Sequence, residues 1–260
     1  MKIERIEIVS HPTKFGARQL EEELKTILEG RGLEVTSQSP DLILSLGGDG
    51  TVLRAAQRAH AEDAPLLGVN LGVLGYLTEV DGGKEMDALE RVFSGDYSIE
   101  ERIMLECAID GSGSYVGLNE VLVERSSRER LVELTVDVGG ERLASFPADG
   151  VLVATPTGST AYALSAGGPI VDPRAHCLIV VPVSPHMIFS RPVVLASTET
   201  VQITVGGHRA ASLTLDGAIG TELVPGAQVG IKKHARPLRF LRLSGPGFLE
   251  RVRTKLRLPE

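Results

Sequence analysis

The chain has 260 residues, with 27 Lys plus Arg against 34 Asp plus Glu, a formal net charge of −7. That length supports one large domain or two modest ones with a self-sufficient core, and 42% hydrophobic with 23% charged residues excludes long disorder. An acidic chain with 4% aromatic residues and no Trp lacks the basic, base-stacking surface of a nucleic-acid protein, and no apolar run approaches the roughly 18–20 residues of a membrane span, so a soluble, cytoplasmic protein without nucleic-acid or membrane partners is expected.

Strand and helix signals alternate over the first hundred residues. Charged and aliphatic residues alternate over 3–9, predicting a strand, and helical periodicity covers 13–28 and ends at Gly30. Aliphatic runs at 33–37 and 42–46 predict two further strands, followed by a helix over 51–60, a strand over 66–69 and a helix over 84–93. This alternation implies parallel strands joined by helical crossovers. After Ser98 the pattern changes to short β-rich runs at 103–109, 117–123, 132–138, 151–154, 178–183, 193–195, 201–205 and 212–215, several of them separated by Gly139-Gly140, Gly206-Gly207 or Pro225-Gly226. Only 158–166 reads as a helix there. The expected fold class is therefore α/β plus all-β: a Rossmann-like parallel α/β domain followed by a mostly antiparallel domain, β-sandwich-like or barrel-like.

Charge is unevenly spread along this order. Residues 232–260 hold nine basic and two acidic side chains, a local +7, which leaves −14 on the rest. Such a tail either docks on the acidic body or helps to attract an anionic substrate. Cys107 and Cys177 stand far apart in aliphatic surroundings and read as buried, reduced thiols. The six His show neither HxxxH nor HExxH spacing, so no bound transition metal is expected, and His186 reads as a structural residue at a strand end.

Three motifs carry chemistry. In DLILSLGGDGT (41–51) a buried strand meets a Gly-rich turn that opens a helix, an arrangement whose free N–H groups favour phosphate. No Lys follows the glycines and the spacing is not G-x-G-x-x-G, which excludes a Walker A loop and the dinucleotide fingerprint. Asp49 inside that turn either caps the helix or does work that a phosphate site otherwise has no use for, such as taking a hydroxyl proton or holding Mg²⁺. The second motif is DGVLVATPTGSTAYALSAGGP (149–169), where an aliphatic strand precedes a turn rich in hydroxyls and small residues that would let a planar ring approach the backbone. In the third, Asn119-Glu120 interrupts the apolar run VGLNEVLVE, and a buried polar pair needs partners.

Taken together, these residues closely resemble the NAD kinase family, which shares GGDGT more distantly with diacylglycerol kinases and phosphofructokinases. The resemblance covers essentially the whole chain: GGDGT (47–51), NLGVLGY (70–76), Asn119-Glu120, the 149–169 block, Ser184-Pro185-His186 with Arg191-Pro192, and Asp216-Gly217. The TPTGSTAYALSAGGP block is peculiar to NAD kinases. The resemblance implies transfer of the terminal phosphoryl group of ATP, or of polyphosphate, to the 2′-hydroxyl of the adenosine ribose of NAD, with Mg²⁺ carried by ATP and no metal held by the chain itself. It implies a final segment returning to the first domain, so that 1–99 with about 236–260 forms the α/β domain and 100–235 the β-rich NAD-binding domain. It also implies a homodimer or homotetramer.

By position, Asp49 would be the general base, Gly50 would admit the dinucleotide, and Asn119 and Glu120 would grip the ribose hydroxyls. Asp149, Thr157, Thr160, Ala161, Tyr162 and Ser165 would surround the adenine and nicotinamide ends, Tyr76 would stack, and Arg54 and Arg130 would approach the substrate. The chain departs from the family pattern at Pro147, where Arg is common, at Ala218, where Gln is common, and at Tyr76, where Phe is commoner. Two alternatives are a lipid kinase of the diacylglycerol type, which would not need the TGSTAY block, and a non-catalytic dinucleotide sensor, which would not need Asp49.

Overall fold

In the computed structural model, which describes residues 2–72, 75–110, 113–127, 130–185, 190–245 and 247–259, the chain divides into two compact units, Met1–Glu101 with Leu238–Glu260, and Arg102–Pro237. The first unit runs β1 (Arg5–Ser10), α1 (Ala17–Gly30), β2 (Glu34–Val35), β3 (Leu42–Gly47), α2 (Asp49–Glu62), β4 (Leu66–Asn70), β5 (Val80–Asp81), α3 (Glu85–Ser94) and β6 (Ser98–Arg102). β1 pairs in parallel with β2 and β3, and β4 with β3 and β5. β3 and β4 are buried along their whole length, as parallel strands covered on both faces must be. α1 begins at Ala17 rather than near residue 13, because His11 Nδ1 accepts the amides of Thr13 and Lys14 and Gly16 takes a φ of 84°. That left-handed residue ends the turn before the helix starts.

The second unit runs β7 (Leu105–Ile109), β8 (Gly113–Gly117), β9 (Glu120–Arg125), β10 (Val132–Val138), β11 (Glu141–Ala148), β12 (Gly150–Ala154), a 3-10 turn (Thr157–Thr160), α4 (Tyr162–Ser165), β13 (Cys177–Val183), β14 (Val193–Ala196), β15 (Thr200–Val205), β16 (Ala211–Leu215), β17 (Ile219–Leu223) and β18 (Gln228–Lys233). They form two six-stranded sheets, in the orders β11-β10-β15-β18-β7-β8 and β14-β13-β12-β9-β16-β17. One core is shared by inward residues of both sheets, such as Leu134 and Ile203 from one and Val123 and Val151 from the other. On the outer face of the second sheet, Leu152, Ala154 and Ile179 pack with Ala163 of α4. β12 therefore has no solvent face, which explains its uninterrupted aliphatic sequence.

The expected run at 117–123 is not one strand, because Leu118 and Asn119 leave the ladder between β8 and β9. The expected helix at 158–166 is likewise broken at Ala161 (ψ −131°) into the 3-10 turn and a single helical turn. β11 had no clear signal because it holds Pro147, which an edge strand tolerates.

The chain then returns to the first sheet. β19 (Leu238–Arg242) lies parallel to β4, with Phe240 opposite Leu66, and α5 (Phe248–Leu256) follows. Part of the basic tail is neutralised within this unit: Arg239 pairs with Asp63, Arg242 with Glu79 and Glu100, and Arg251 with Glu79. His186 lies outside the described residues.

Candidate active site

The GGDGT turn follows directly from the burial of β3. Gly47 ends that strand so close to α2 that a β-carbon on it would lie 2.2 Å from Thr51 Oγ1. Gly48, extended at φ −105°, is the residue before the helix, so Asp49 is the first helical residue and its side chain makes no cap. The carboxylate turns instead to the segment after β4: Tyr76 N–H donates to Oδ2 at 2.9 Å and Leu77 N–H to Oδ1 at 3.0 Å. That segment is itself closed by Gly75 N–H donating to Thr78 Oγ1 at 3.0 Å. Asp49 is thereby fixed in one orientation, half-buried at a glycine-lined turn.

Gly50 is exposed on the next helical residue. Arg54, one turn further along α2, is exposed and donates to the carbonyl of Ser10 at the end of β1. Tyr76 is half-buried, and burial, then the charge of Asp49, raises its phenol above the usual range. Asp49 and Tyr76 are thus directly joined, Gly50 adjoins them, and Arg54 is tied to the end of β1 rather than to this turn. Val73 and Leu74 of the NLGVLGY motif lie outside the described residues.

In the second unit the break at Leu118-Asn119 is held from both sides. Asp216, at the end of β16 with a φ of 49°, accepts the amides of Leu118, Asn119 and Glu120 at 2.8, 2.7 and 3.2 Å. On the carbonyl side, Thr155 Oγ1 donates to Leu118 O at 2.6 Å and Thr155 N–H to Asn119 O at 2.8 Å. Thr155 Oγ1 also accepts Gly158 N–H at 3.1 Å, and Gly158 lies so near that a β-carbon would meet Asn119 O at 2.1 Å. The TPTGST turn therefore rests on the backbone of Asn119. Both Asn119 and Glu120 are buried, and Glu120 Oε2 has no hydrogen-bond partner among the described residues. Burial, helped by the nearby charge of Asp216, pushes the Glu120 carboxyl up to about 7.

Thr157 is buried and accepts from Arg102 Nη1 at 3.1 Å, while Thr160 Oγ1 donates to Thr157 O at 3.3 Å. Asp149 pairs with Arg125 at 2.6 Å. Tyr162 and Ser165 are exposed on α4, and Ala161 is the half-buried residue where the 3-10 turn breaks. Burial first, then Glu124 and Asp149, raise the Tyr162 phenol. Arg130 is exposed after β9, next to residues outside the described set. The block Asn119, Glu120, Thr157 and Thr160 thus forms one assembly with Thr155, Gly158 and Asp216. Thr155 and Arg102 were not singled out from sequence; a Thr directly after an aliphatic strand was the available signal for the first, and Arg102 offered none. Of the departures, Pro147 is exposed opposite Glu133 in the β10–β11 pair, and Ala218 is exposed in the β16–β17 turn.

Residues 8–97 match the ATP-NAD kinase N-terminal domain and residues 118–243 the ATP-NAD kinase C-terminal domain. The chain belongs to the NAD kinase family. Among curated relatives, the NAD kinase of Corynebacterium glutamicum is 43% identical over 225 residues, covering 84% of this chain and 77% of that protein. The NAD kinase of Heliobacterium modesticaldum is 44% identical over 221 residues, covering 83% and 78%.

Two solved structures are similar. Yeast NADH kinase complexed with NADH superposes with a TM-score of 0.91 at 25% identity, covering 99% of this chain and 89% of that one. An NAD kinase from Archaeoglobus fulgidus in complex with ATP gives a TM-score of 0.77 at 26% identity, covering 92% and 94%. The chain is an enzyme that phosphorylates NAD to NADP with ATP. The lipid-kinase alternative fails because the C-terminal match spans the whole TGSTAY block. No helix among the described residues is long and apolar enough to cross a membrane.

Proposed function

We propose that Asp49 takes the proton of the ribose 2′-hydroxyl as phosphoryl transfer proceeds. The O–H bond of the acceptor breaks to Asp49 while the 2′-oxygen bonds the γ-phosphorus, and the bond to the bridging oxygen breaks to release ADP. An aliphatic alcohol is too weak an acid to ionise beforehand, so the proton leaves late and positioning supplies most of the acceleration. The observation that carries this reading is the pair of backbone amides on Asp49, from Tyr76 and Leu77. They orient an acceptor-only group without spending it on the helix cap.

The remaining roles follow the chemistry of each position. Glu120, whose buried Oε2 awaits a donor, accepts from ribose hydroxyls, and Asn119 supplies both a donor and an acceptor beside it. Asp149, Thr157, Thr160, Ala161, Tyr162 and Ser165 border the two ends of the dinucleotide, Tyr76 offers a ring face, and Gly50 leaves room for the ligand. Arg54 and Arg130 supply cations for phosphate.

We assign Mg²⁺ to the donor, as part of the substrate; among the described residues no three His, Cys, Asp or Glu side chains gather to hold an ion. Polyphosphate as an alternative donor, a homodimer or homotetramer, and a cytoplasmic location complete the proposal. NADP formation from NAD and Mg-ATP, compared between wild type and Asp49→Asn, tests it. Loss of turnover with NAD binding retained supports the base, whereas turnover near wild type in Asp49→Asn would overturn it.

A further inference from the structure

The turn that holds Asp49 is itself held by the last helix of the chain. Arg251 on α5 is 5% exposed. Its Nη1 donates to the carbonyl of Gly75 at 3.2 Å and also to that of Thr78, and its Nη2 donates to Glu79 Oε2 at 3.0 Å. Gly75 and Thr78 bracket the two residues, Tyr76 and Leu77, whose amides grip Asp49. One planar guanidinium therefore fixes the outer carbonyls of the segment, and the inner N–H groups are left to point at the carboxylate. Nη1 alone carries both carbonyls while Nη2 holds Glu79, so a rigid planar fork sets the turn and its anchor at a fixed separation, which the single nitrogen of a lysine ammonium does not.

Glu79 anchors the arrangement. Its Oε1 accepts the amides of Leu243 and Gly245, and its Oε2 accepts from both Arg242 and Arg251. Arg242 shares Glu79 but otherwise reaches Glu100, with no bond to the carbonyls of 75 or 78 among those described. Both arginines neutralise the same buried carboxylate; Arg242 also pairs with Glu100 and lies over the Phe240 ring, whereas Arg251 bonds the Asp49 turn.

We infer that Arg251 is a positioning residue for catalysis, acting through the 75–78 turn to hold Asp49 in its working orientation. This rests on the reading of Asp49 as base. It gives the return of the chain to its first unit a functional purpose, since α5 bonds the turn from 176 residues further along.

The test compares Arg251→Met with Arg242→Met, measuring the melting temperature, kcat, KM for NAD, and hydrogen exchange at the Tyr76 and Leu77 amides. Both substitutions remove one guanidinium from Glu79 and should lower the melting temperature. Only Arg251→Met should lower kcat, by about 10- to 100-fold, the cost of a misplacement on the order of 1 Å, with KM for NAD within about threefold. Only that variant should also speed exchange at the two amides beyond the rate in Arg242→Met. Equal kcat in the two variants, or amide exchange that does not differ between them, would overturn the inference. Should Arg251→Met fail to fold, Arg251→Lys carries the same comparison, because it keeps a positive charge near Glu79 but gives up the two-nitrogen fork that holds Glu79 and the carbonyls of 75 and 78 together. Retained turnover in Asp49→Asn would remove the base instead, and the exchange rates at 76 and 77 would still decide whether Arg251 holds the turn.

Discussion

Gly75 faces Asp49 so closely that a β-carbon on it would lie 1.9 Å from the carboxylate Oδ1. No real contact is that short, so Gly75→Ala must push Asp49 off the amides of Tyr76 and Leu77 or displace the turn. The expected outcome is a folded protein whose kcat falls about 100-fold or more, with a loss of stability on the order of 1–3 kcal/mol from the broken hydrogen bonds. Steady-state NADP formation together with a thermal melt checks this. A fully active Gly75→Ala enzyme would mean that the orientation of Asp49 is unimportant.

Asp49→Asn should reduce kcat by about 10²- to 10⁴-fold, the usual contribution of a positioned base. Both carboxylate oxygens accept a backbone N–H, so an amide in their place sets its own NH₂ against one of those donors. A stability loss of roughly 1 kcal/mol should accompany the kinetic one. NAD affinity, read by calorimetry without ATP, should stay within a few-fold of wild type. Loss of NAD binding in parallel with turnover would point to a substrate-holding role instead.

The legible parts of this protein are those where one local rule dominates. β3 and β4 carry apolar runs because parallel strands are buried on both faces, and the change of pattern after Ser98 reflects the switch to antiparallel sheets. The site was legible where glycines and hydroxyls crowd together. Its supporting contacts were not, because they join positions distant in sequence: Asp216 meets the amides of Leu118, Asn119 and Glu120, and Arg251 meets Gly75. Hydrogen bonds to backbone impose little pattern on the sequence around the acceptor. The helix expected at 158–166 failed for a related reason, since the turn must stay against the carbonyl of Asn119, and a regular helix would pull Gly158 away.

Glu120 makes the enzyme pH-sensitive in a definite direction. Its carboxyl is raised from 4.5 to about 7 in the fold, by burial first and then by Asp216, so the folded state binds this proton more tightly than the unfolded chain does. The associated stability is fully present below pH 4.5 and is lost as pH rises through about 7. It amounts to at most about 3 kcal/mol. Glu120→Gln should flatten this part of the stability profile.

Binding should run the other way. If the ionised carboxylate accepts the ribose hydroxyls, NAD affinity rises as pH rises toward about 7, and binding near pH 6 releases a proton. Calorimetry in two buffers of different ionisation enthalpy measures that release directly. Zero release at pH 6, or the same pH profile in Glu120→Gln, would remove Glu120 from the ribose site.

Asp216 then offers a way to separate positioning from charge. With three amides on its carboxylate, Asp216→Ala leaves buried donors unmatched and places an alanine at a φ of 49°. A loss of about 3 kcal/mol or more and a KM for NAD raised over about tenfold are expected. Asp216→Asn tolerates the left-handed backbone and keeps one acceptor oxygen, so its stability loss should be smaller. It also removes the negative charge beside Glu120. Since burial remains, the midpoint of the NAD-affinity profile should move below about 7 without returning to 4.5. An unmoved midpoint in Asp216→Asn would show that burial alone sets the Glu120 carboxyl, and that Asp216 serves only to hold the backbone of residues 118–120.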